Sequence, residues 1–300
     1  LYPNQASEEK GSKKPMKLGR NTKPNKRLAA FFPGFTFLSS PKSNDILNMN
    51  PRIFSFLFLF VSLLVAAEET RSLRIMTYNI HHAEGVDGKV DYERIAAIIR
   101  KADPHIVALQ EVDRETSRTQ QVDQAKRLAD LLNYQVVFGK ALNFQGGAYG
   151  LAIMARGNIH SKCTFALPYR IGQEPRIVLE AKIELGDDWP LIQLFNAHLC
   201  HLSAETRLEQ VQRMIQIIPK YTENLTLLAG DFNARPQTAP MDLLWKQGWN
   251  DCLETHDGID YLLSSPGAKV QLKSSRIIQA PSASDHNPVF AELILNEDFK

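Results

Sequence analysis

Between residues 73 and 295 the chain returns nine times to one kind of segment: seven to ten residues, apolar or alternating, the length of a strand and short for a helix. These runs are "LRIMTYNI" (73–80), "HIVALQEVD" (105–113), "YQVVFGKAL" (134–142), "GLAIMAR" (150–156), "RIVLEAKIEL" (176–185), "LIQLFNAHL" (191–199), "LTLLAGDF" (225–232), "IDYLLSS" (259–265) and "PVFAELIL" (288–295). Four segments with a helical period lie among them: "DYERIAAIIRKAD" from Asp91, "VDQAKRLADLLN" from Val122, "AETRLEQVQRMIQIIPKY" from Ala204 and "APMDLLWKQG" from Ala239. In the first, Ile95, Ile98 and Ile99 share one face while Arg94 and Lys101 lie elsewhere. Amphipathic helices of this kind cover sheet faces, which makes the class α/β or α+β. With no long linker or repeat in the way, one domain of about 220 residues is the simplest partition.

Several of these core-like strands end in a residue that a core cannot use. Asn79 follows "RIMTY", Glu111 follows "IVALQ", Asn196 and His198 interrupt "LFNAHL", and "LLAGDFNARP" delivers Asp231 and Asn233 just before a proline. Singly, each has an ordinary explanation, since Asp and Asn form turns and charged strand ends reach solvent. His198 alone in an apolar strand suits a structural histidine. Gathered at one edge of the sheets, the same residues make a cleft of carboxylates and carboxamides, the ligand set of a hard divalent cation such as magnesium.

Asp260 in "GIDYLLSS" and Asp285 with His286 in "ASDHNPV" extend the series. In order, "TYNI", "LQEVD", "NAHL", "GDFNARP", "IDY" and "SDHNPV" resemble the successive motifs of the endonuclease/exonuclease/phosphatase superfamily over about residues 73 to 296. That fold is shared by DNase I-like nucleases, abasic-site endonucleases, inositol polyphosphate 5-phosphatases and neutral sphingomyelinases. The resemblance implies a DNase I-like four-layer sandwich, two packed and mostly antiparallel β-sheets flanked by helices. It also implies phosphoester hydrolysis with Mg2+, or Mn2+ as substitute, held by Glu111 with Asn79 and Asp285. Asp231 would position and activate water, with Asn233 holding phosphate or water. His286 would contact a phosphoryl oxygen and Asp260 would orient it, with His198 as a second phosphate contact. Each role meets a need of the chemistry: a cation and donors for developing charge, and a base for water.

The segment "GGAYGLAIMAR" resembles the one in which an aromatic residue and an amide approach the phosphate; Tyr149 supplies the aromatic, but Leu151 stands where small secreted members often carry Asn. Arg118 and Arg176 are candidate substrate contacts or solvated charges. His81 and His82 follow Asn79 closely enough to border the cleft. "GWNDCLETHDGIDY" runs almost directly from Trp249 to Tyr261, so the loop that often grips a leaving group is short.

Charge is unevenly divided. Residues 1 to 48 hold nine Lys and Arg against three acids, whereas from Glu68 onward 25 basic residues face 30 acidic ones. The acidic domain offers no bulk basic track for a polynucleotide. A small phosphodiester or phosphomonoester, or a lipid headgroup, is therefore the first expected substrate and DNA or RNA the second; the resemblance extends to small bacterial relatives of glycolipid-anchor remodelling proteins. A non-catalytic binding module would have lost Glu111, Asp231 or His286, and all three are present. Arg52 precedes the 13-residue apolar run from Ile53 to Val65, followed by small residues and acids. This is the layout of a signal peptide over 49–67, cleaved after Ala67, which predicts a secreted or periplasmic, monomeric enzyme. The run is short of the roughly 20 residues of a membrane span, so an anchor is the weaker alternative. The basic 48 residues before Met49 are expected to be a disordered leader or an over-extended start. Cys163, Cys200 and Cys252 lack CxxC spacing, against structural zinc; pairing of two of them and burial as small apolar residues both stay open.

Overall fold

The computed structural model describes residues 71–218 and 224–295. The expected leader and signal segment lie outside the described residues. The strands are β1 (Ser72–Asn79), β2 (Ile106–Arg114), β3 (Gln135–Phe144), β4 (Gly147–Ala155), β5 (Asn158–Ala166), β6 (Ile177–Glu184), β7 (Ile192–His198), β8 (Leu225–Asp231), β9 (Asn250–Asp251), β10 (Asp260–Ser264), β11 (Val270–Ile277) and β12 (Val289–Leu295). The helices are α1 (Tyr92–Ala102) and α2 (Gln124–Leu132), between β1 and β3, and α3 (Ala204–Ile217) and α4 (Ala239–Lys246), between β7 and β9.

Two six-stranded sheets result, in the orders β11-β12-β1-β2-β4-β3 and β5-β6-β7-β8-β10-β9. All pairings are antiparallel except β1 with β2 and β7 with β8, the central pair of each sheet. Both faces of each central strand are covered, which explains their nearly continuous apolar sequence. Along β1, Ile75 enters the core between the sheets with Ile106, Leu179, Leu194 and Leu227. Its neighbour Met76 points the other way, into the layer formed with Ile95 and Ile99 of α1 and Leu128 of α2. On the outer face of the second sheet, Val211 and Met214 of α3 and Met241 and Leu244 of α4 pack on Phe195 and Tyr261. The layers run helix, sheet, sheet, helix.

Local chemistry sets the helix starts. Asp91 accepts from the Arg94 N–H at 2.9 Å, Asp123 from Lys126 N–H at 3.0 Å, and Ser203 Oγ from Thr206 N–H at 3.2 Å, each capping one helix. Asp103 and Asn133 close α1 and α2 in the left-handed conformation.

The nine expected strands and four helices are present within a few residues of their expected ends. Three strands come in addition. β5 and β11 are edge strands, β5 exposed along most of its length and β11 along half, and among the few apolar residues that pack on the core, Ile159, Val270 and Leu272, their sequences "NIHSKCTFA" and "VQLKSSRI" carry charge and hydroxyls. Such residues protect an edge from unwanted pairing and erase the alternation that marks a strand. β9 is two residues long. All three cysteines are free, Cys200 and Cys252 buried and Cys163 exposed.

Candidate active site

The two parallel pairs aim the same ends at each other. Asn79 finishes β1 beside Gln110 of β2, and His198 finishes β7 beside Asp231 of β8, with Asp260 of β10 on the other flank of Asp231. Between Leu109 and Val112 the pairing of β2 with β4 slips, and Glu111 there takes a left-handed φ of 57°. This bulge turns the Glu111 side chain out of the sheet alternation and into the cleft. Just below, Gln110 Nε2 donates to Asn196 Oδ1 at 2.7 Å, and Asn196 Nδ2 donates to Leu109 O at 2.9 Å and Ala152 O at 3.0 Å. Asn196 thus joins the sheets under the site and does not line the cleft.

Asp231 is the meeting point. It is 1% exposed, and its Oδ2 accepts from Asn79 Nδ2 at 3.1 Å while lying 3.4 Å from His198 Nε2 and 3.7 Å from His286 Nε2. Its Oδ1 accepts from the Asn233 N–H at 2.9 Å, in a turn where Asn233 has φ 48°. Burial, followed by repulsion from Asp260, holds the Asp231 carboxyl well above the usual carboxylate range. Asn79 Nδ2 also donates to Glu111 Oε1 at 3.0 Å, so one amide spans the two carboxylates.

The histidines are differentiated by their partners. Burial opposes a charge on His286, but the 2.8 Å bond from Nδ1 to Asp260 Oδ2 and the charges of Asp260, Asp231 and Asp285 prevail, lifting its pKa to about 9. At neutral pH it is a cation with Nε2–H facing Asp231. His198 is the opposite case. Burial, then Arg176, His286 and His201, depress its pKa far below normal. Arg176 Nη1 donates to its Nδ1 at 2.8 Å, which leaves the single ring proton on Nε2.

These groups border one cleft of about 610 Å3, whose lining includes nine of the eleven sequence candidates: Glu111, Arg118, Tyr149, Arg176, His198, Asp231, Asn233, Asp285 and His286. The other two lie behind it, Asn79 beneath the carboxylates and Asp260 behind His286. Neither arginine is a free surface charge. Arg118 forks onto buried Asp113, Nε to Oδ2 at 2.6 Å and Nη2 to Oδ1 at 2.8 Å, with its guanidinium 4.7 Å from the Phe144 ring centre and 5.8 Å from that of Tyr149. Arg176 is buried, contacting Glu174 at 3.1 Å and His201 at 3.3 Å besides His198. Burial raises the Tyr149 hydroxyl pKa further above neutrality, so it stays protonated.

Glu174, His201, Leu142 and Phe144 also line the cleft and were not singled out by sequence. The one available signal was the spacing of His201, three residues after His198. Glu174 belongs to no strand and shows no pattern; burial raises its pKa, against the pull of Arg176. For a cation, Glu111 and Asp285 both offer carboxylates to the cleft, and neither forms an ion pair with Lys or Arg among the described residues. With the Asn79 amide between Glu111 and Asp231, this oxygen-rich set fits a hard divalent ion.

The profile of the Endonuclease/Exonuclease/phosphatase family matches residues 76–286. No curated protein matches the chain. Among solved structures, an endonuclease/exonuclease/phosphatase from Beutenbergia cavernae DSM 12333 has a TM-score of 0.63 at 24% identity, covering 75% of this chain and 72% of that one. A mannosyl-6-phosphatase from Bacteroides thetaiotaomicron VPI-5482 gives 0.61 at 20% identity, covering 74% and 100%. The human Nocturnin catalytic domain, solved with a bound sulfate anion, gives 0.61 at 18% identity, covering 75% and 95%. At such identities the structural likeness speaks for the DNase I-like fold.

Proposed function

The chain belongs to the endonuclease/exonuclease/phosphatase family, hydrolases acting on phosphoesters and typically dependent on a divalent metal. From that premise we propose a Mg2+-dependent phosphoesterase that cleaves a small-molecule or lipid-headgroup phosphodiester or phosphomonoester by in-line attack of water. The observation that carries this reading is the arrangement at Asp231, a buried carboxylate flanked by one neutral and one cationic histidine.

In this reading Asp231 orients the attacking water and takes its proton. A carboxyl whose pKa is raised by burial is a better base than one in solvent. His286, kept cationic by Asp260, donates from Nε2 to a phosphoryl oxygen and gains strength as charge develops there. His198 donates a second hydrogen bond from Nε2, its tautomer set by Arg176. Asn233 and Tyr149 hold the phosphoryl group from the rim. Glu111, Asn79 and Asp285 would hold Mg2+, which when bound neutralises phosphoryl charge. Arg118 and Phe144 border the space left for the rest of the substrate.

The acidic balance from Glu68 onward supports small or lipid phosphoesters over polynucleotides. We read the enzyme as secreted or periplasmic through residues 49–67. No helix among the described residues is long and apolar enough to cross a membrane. The test is a panel assay of the purified protein with Mg2+ against inositol phosphates, phosphatidylinositol, sphingomyelin, bis-p-nitrophenyl phosphate, plasmid DNA and RNA. The strongest turnover is expected among the first four. Turnover of nucleic acid alone would overturn the substrate class, and none at all on any phosphoester would overturn the enzyme.

A further inference from the structure

Two histidines on the turn after β1 have no part in the chemistry above. His81, His82 and Ala83 all have positive φ, 45°, 43° and 62°. A run of non-glycine residues in this region is strained and persists only where the surroundings over-determine it. Here Asn79 Oδ1 accepts from the His81 N–H at 3.1 Å, Ile80 O from the Ala83 N–H at 2.8 Å, and Gln124 Nε2 donates to His82 O at 2.7 Å. The strained turn brings both rings to the cleft, edge to face with centres 4.5 Å apart. One potential ligand atom from each of His81, His82 and Glu111 falls within 4.8 Å of the others.

The hydrogen bond at one nitrogen of each ring determines which nitrogen keeps its lone pair. His81 Nδ1 lies 3.2 Å from Glu84 O, a carbonyl that can only accept. The proton is therefore on Nδ1 and the lone pair on Nε2. His82 Nε2 lies 3.3 Å from Glu84 Oε2, a carboxylate oxygen, so its proton is on Nε2 and its lone pair on Nδ1. His82 is only 6% exposed, and that Nδ1 is buried with no hydrogen-bond partner. A carbonyl or carboxylate accepting the far N–H is the support that metal-bound histidines almost always have. Glu84 provides one of each.

We propose that His81, His82 and Glu111 form a second cation position, selective for a transition metal of the Zn2+ type, with Glu84 as its outer support. Two imidazoles and one carboxylate suit Zn2+ and leave a coordination position open, whereas Mg2+ prefers oxygen alone. This position depends on the phosphoesterase reading only through Glu111, which the two metal positions share.

The test is binding, with activity as a separate readout. The full chain is stripped with chelator and titrated with Co2+, followed by its visible absorption, then with competing Zn2+. One equivalent of Co2+ with visible bands of a four- or five-coordinate site is expected, displaced by Zn2+ and not by millimolar Mg2+. His82→Ala should weaken it at least tenfold, and Glu84→Gln about 10–100-fold, the usual effect of losing an outer partner. If His82→Ala does not fold, His81→Ala, on the more accessible ring, must show the loss. Absence of the bands, unchanged affinity in His81→Ala, or loss only in His286→Ala would each overturn the proposal. Those results leave the phosphoesterase reading standing. Conversely, normal Co2+ binding with no hydrolysis of any phosphoester would sink that reading and not this one.

Discussion

Replacing Asn196 by Ala isolates what holds the two halves of the site in register. The side chain is 0% exposed and makes three hydrogen bonds, one from Gln110 of β2 and two to the carbonyls of Leu109 and Ala152. Leu109 lies at the edge of the bulge that carries Glu111, so its carbonyl is where the regular ladder breaks down. Alanine removes all three bonds and takes the Asn196 donor from two buried carbonyls, while the Gln110 amide keeps Thr77 Oγ1 at 3.0 Å and Ala108 O at 3.3 Å. Each unsatisfied buried group costs about 1–3 kcal/mol, and for the two carbonyls, allowing for non-additivity and partial repair, the sum is about 2–4 kcal/mol. For a domain of this size that lowers Tm by on the order of 10 °C. Urea unfolding followed by tryptophan fluorescence measures the first quantity and scanning calorimetry the second. Turnover measured well below the new Tm should also fall, because Asn79 and Glu111 belong to one sheet and His198 and Asp231 to the other. A loss under about 1 kcal/mol with unchanged turnover would refute the reasoning, since no buried group would then have been left unpaired. Asn196→Asp provides the sharper contrast: it can still accept from Gln110 but sets an anion against two carbonyls, and is expected to be worse than alanine.

Three further outcomes follow from the same geometry. Asp231→Asn and His286→Ala should each lower turnover by at least about a hundredfold while circular dichroism and Tm stay near wild type, as expected when a base or a transition-state donor is lost. Chelator should abolish hydrolysis, with Mg2+ or Mn2+ needed to restore it and Zn2+ by itself unable to; restoration by Zn2+ alone would exclude the oxygen-ligand set. His105 supplies a pH signature far from the site: burial first, then Arg74 and Arg156, lower its pKa from 6.5 to about 4, and its Nδ1 accepts from the Arg74 N–H at 3.2 Å. The folded state therefore prefers the neutral ring, and stability contributed by His105 is full above pH 6.5 and lost as pH falls from 6.5 towards 4. His105→Asn should flatten the stability profile in that window, measured by urea midpoints at successive pH values.

The residues at strand ends were the legible part of this molecule, because a polar residue closing an apolar run has few structural uses. Asn79, His198, Asp231 and Asp260 stand on regular ladders, so periodicity alone puts them near strand ends. Glu111 is different: its place in the cleft depends on a bulge, which simple alternation does not reveal. The roles of Arg118 and Arg176 were illegible for another reason. Their partners, Asp113 for one and Glu174, His198 and His201 for the other, are set by tertiary packing, and an arginine in a sequence looks the same whether solvated or clamped. Asn196 was legible as an anomaly, though its use lies between the sheets and not in the chemistry. Edge strands β5 and β11 escaped because residues that keep an edge soluble are those that hide a strand.

The pairing of β1 with β12, from Ser72 with Ile294 to Thr77 with Val289, has a consequence for how the protein is made. On a ribosome β1 emerges before the other described strands, and its neighbour on one side arrives only after the entire second sheet has been synthesised. At about 5–20 residues per second, that wait is roughly 10–40 s. Asp285 and His286 sit in the loop that leads into β12, so the cationic donor of the site is delivered by the same late docking event. Until β12 is in place the cleft lacks Asp285 and His286, and one flank of a central strand stays unpaired. Closure by β12 leaves the chain an interval in which it is still a thread that a chaperone can hold, and ends that interval in the step that completes the cleft.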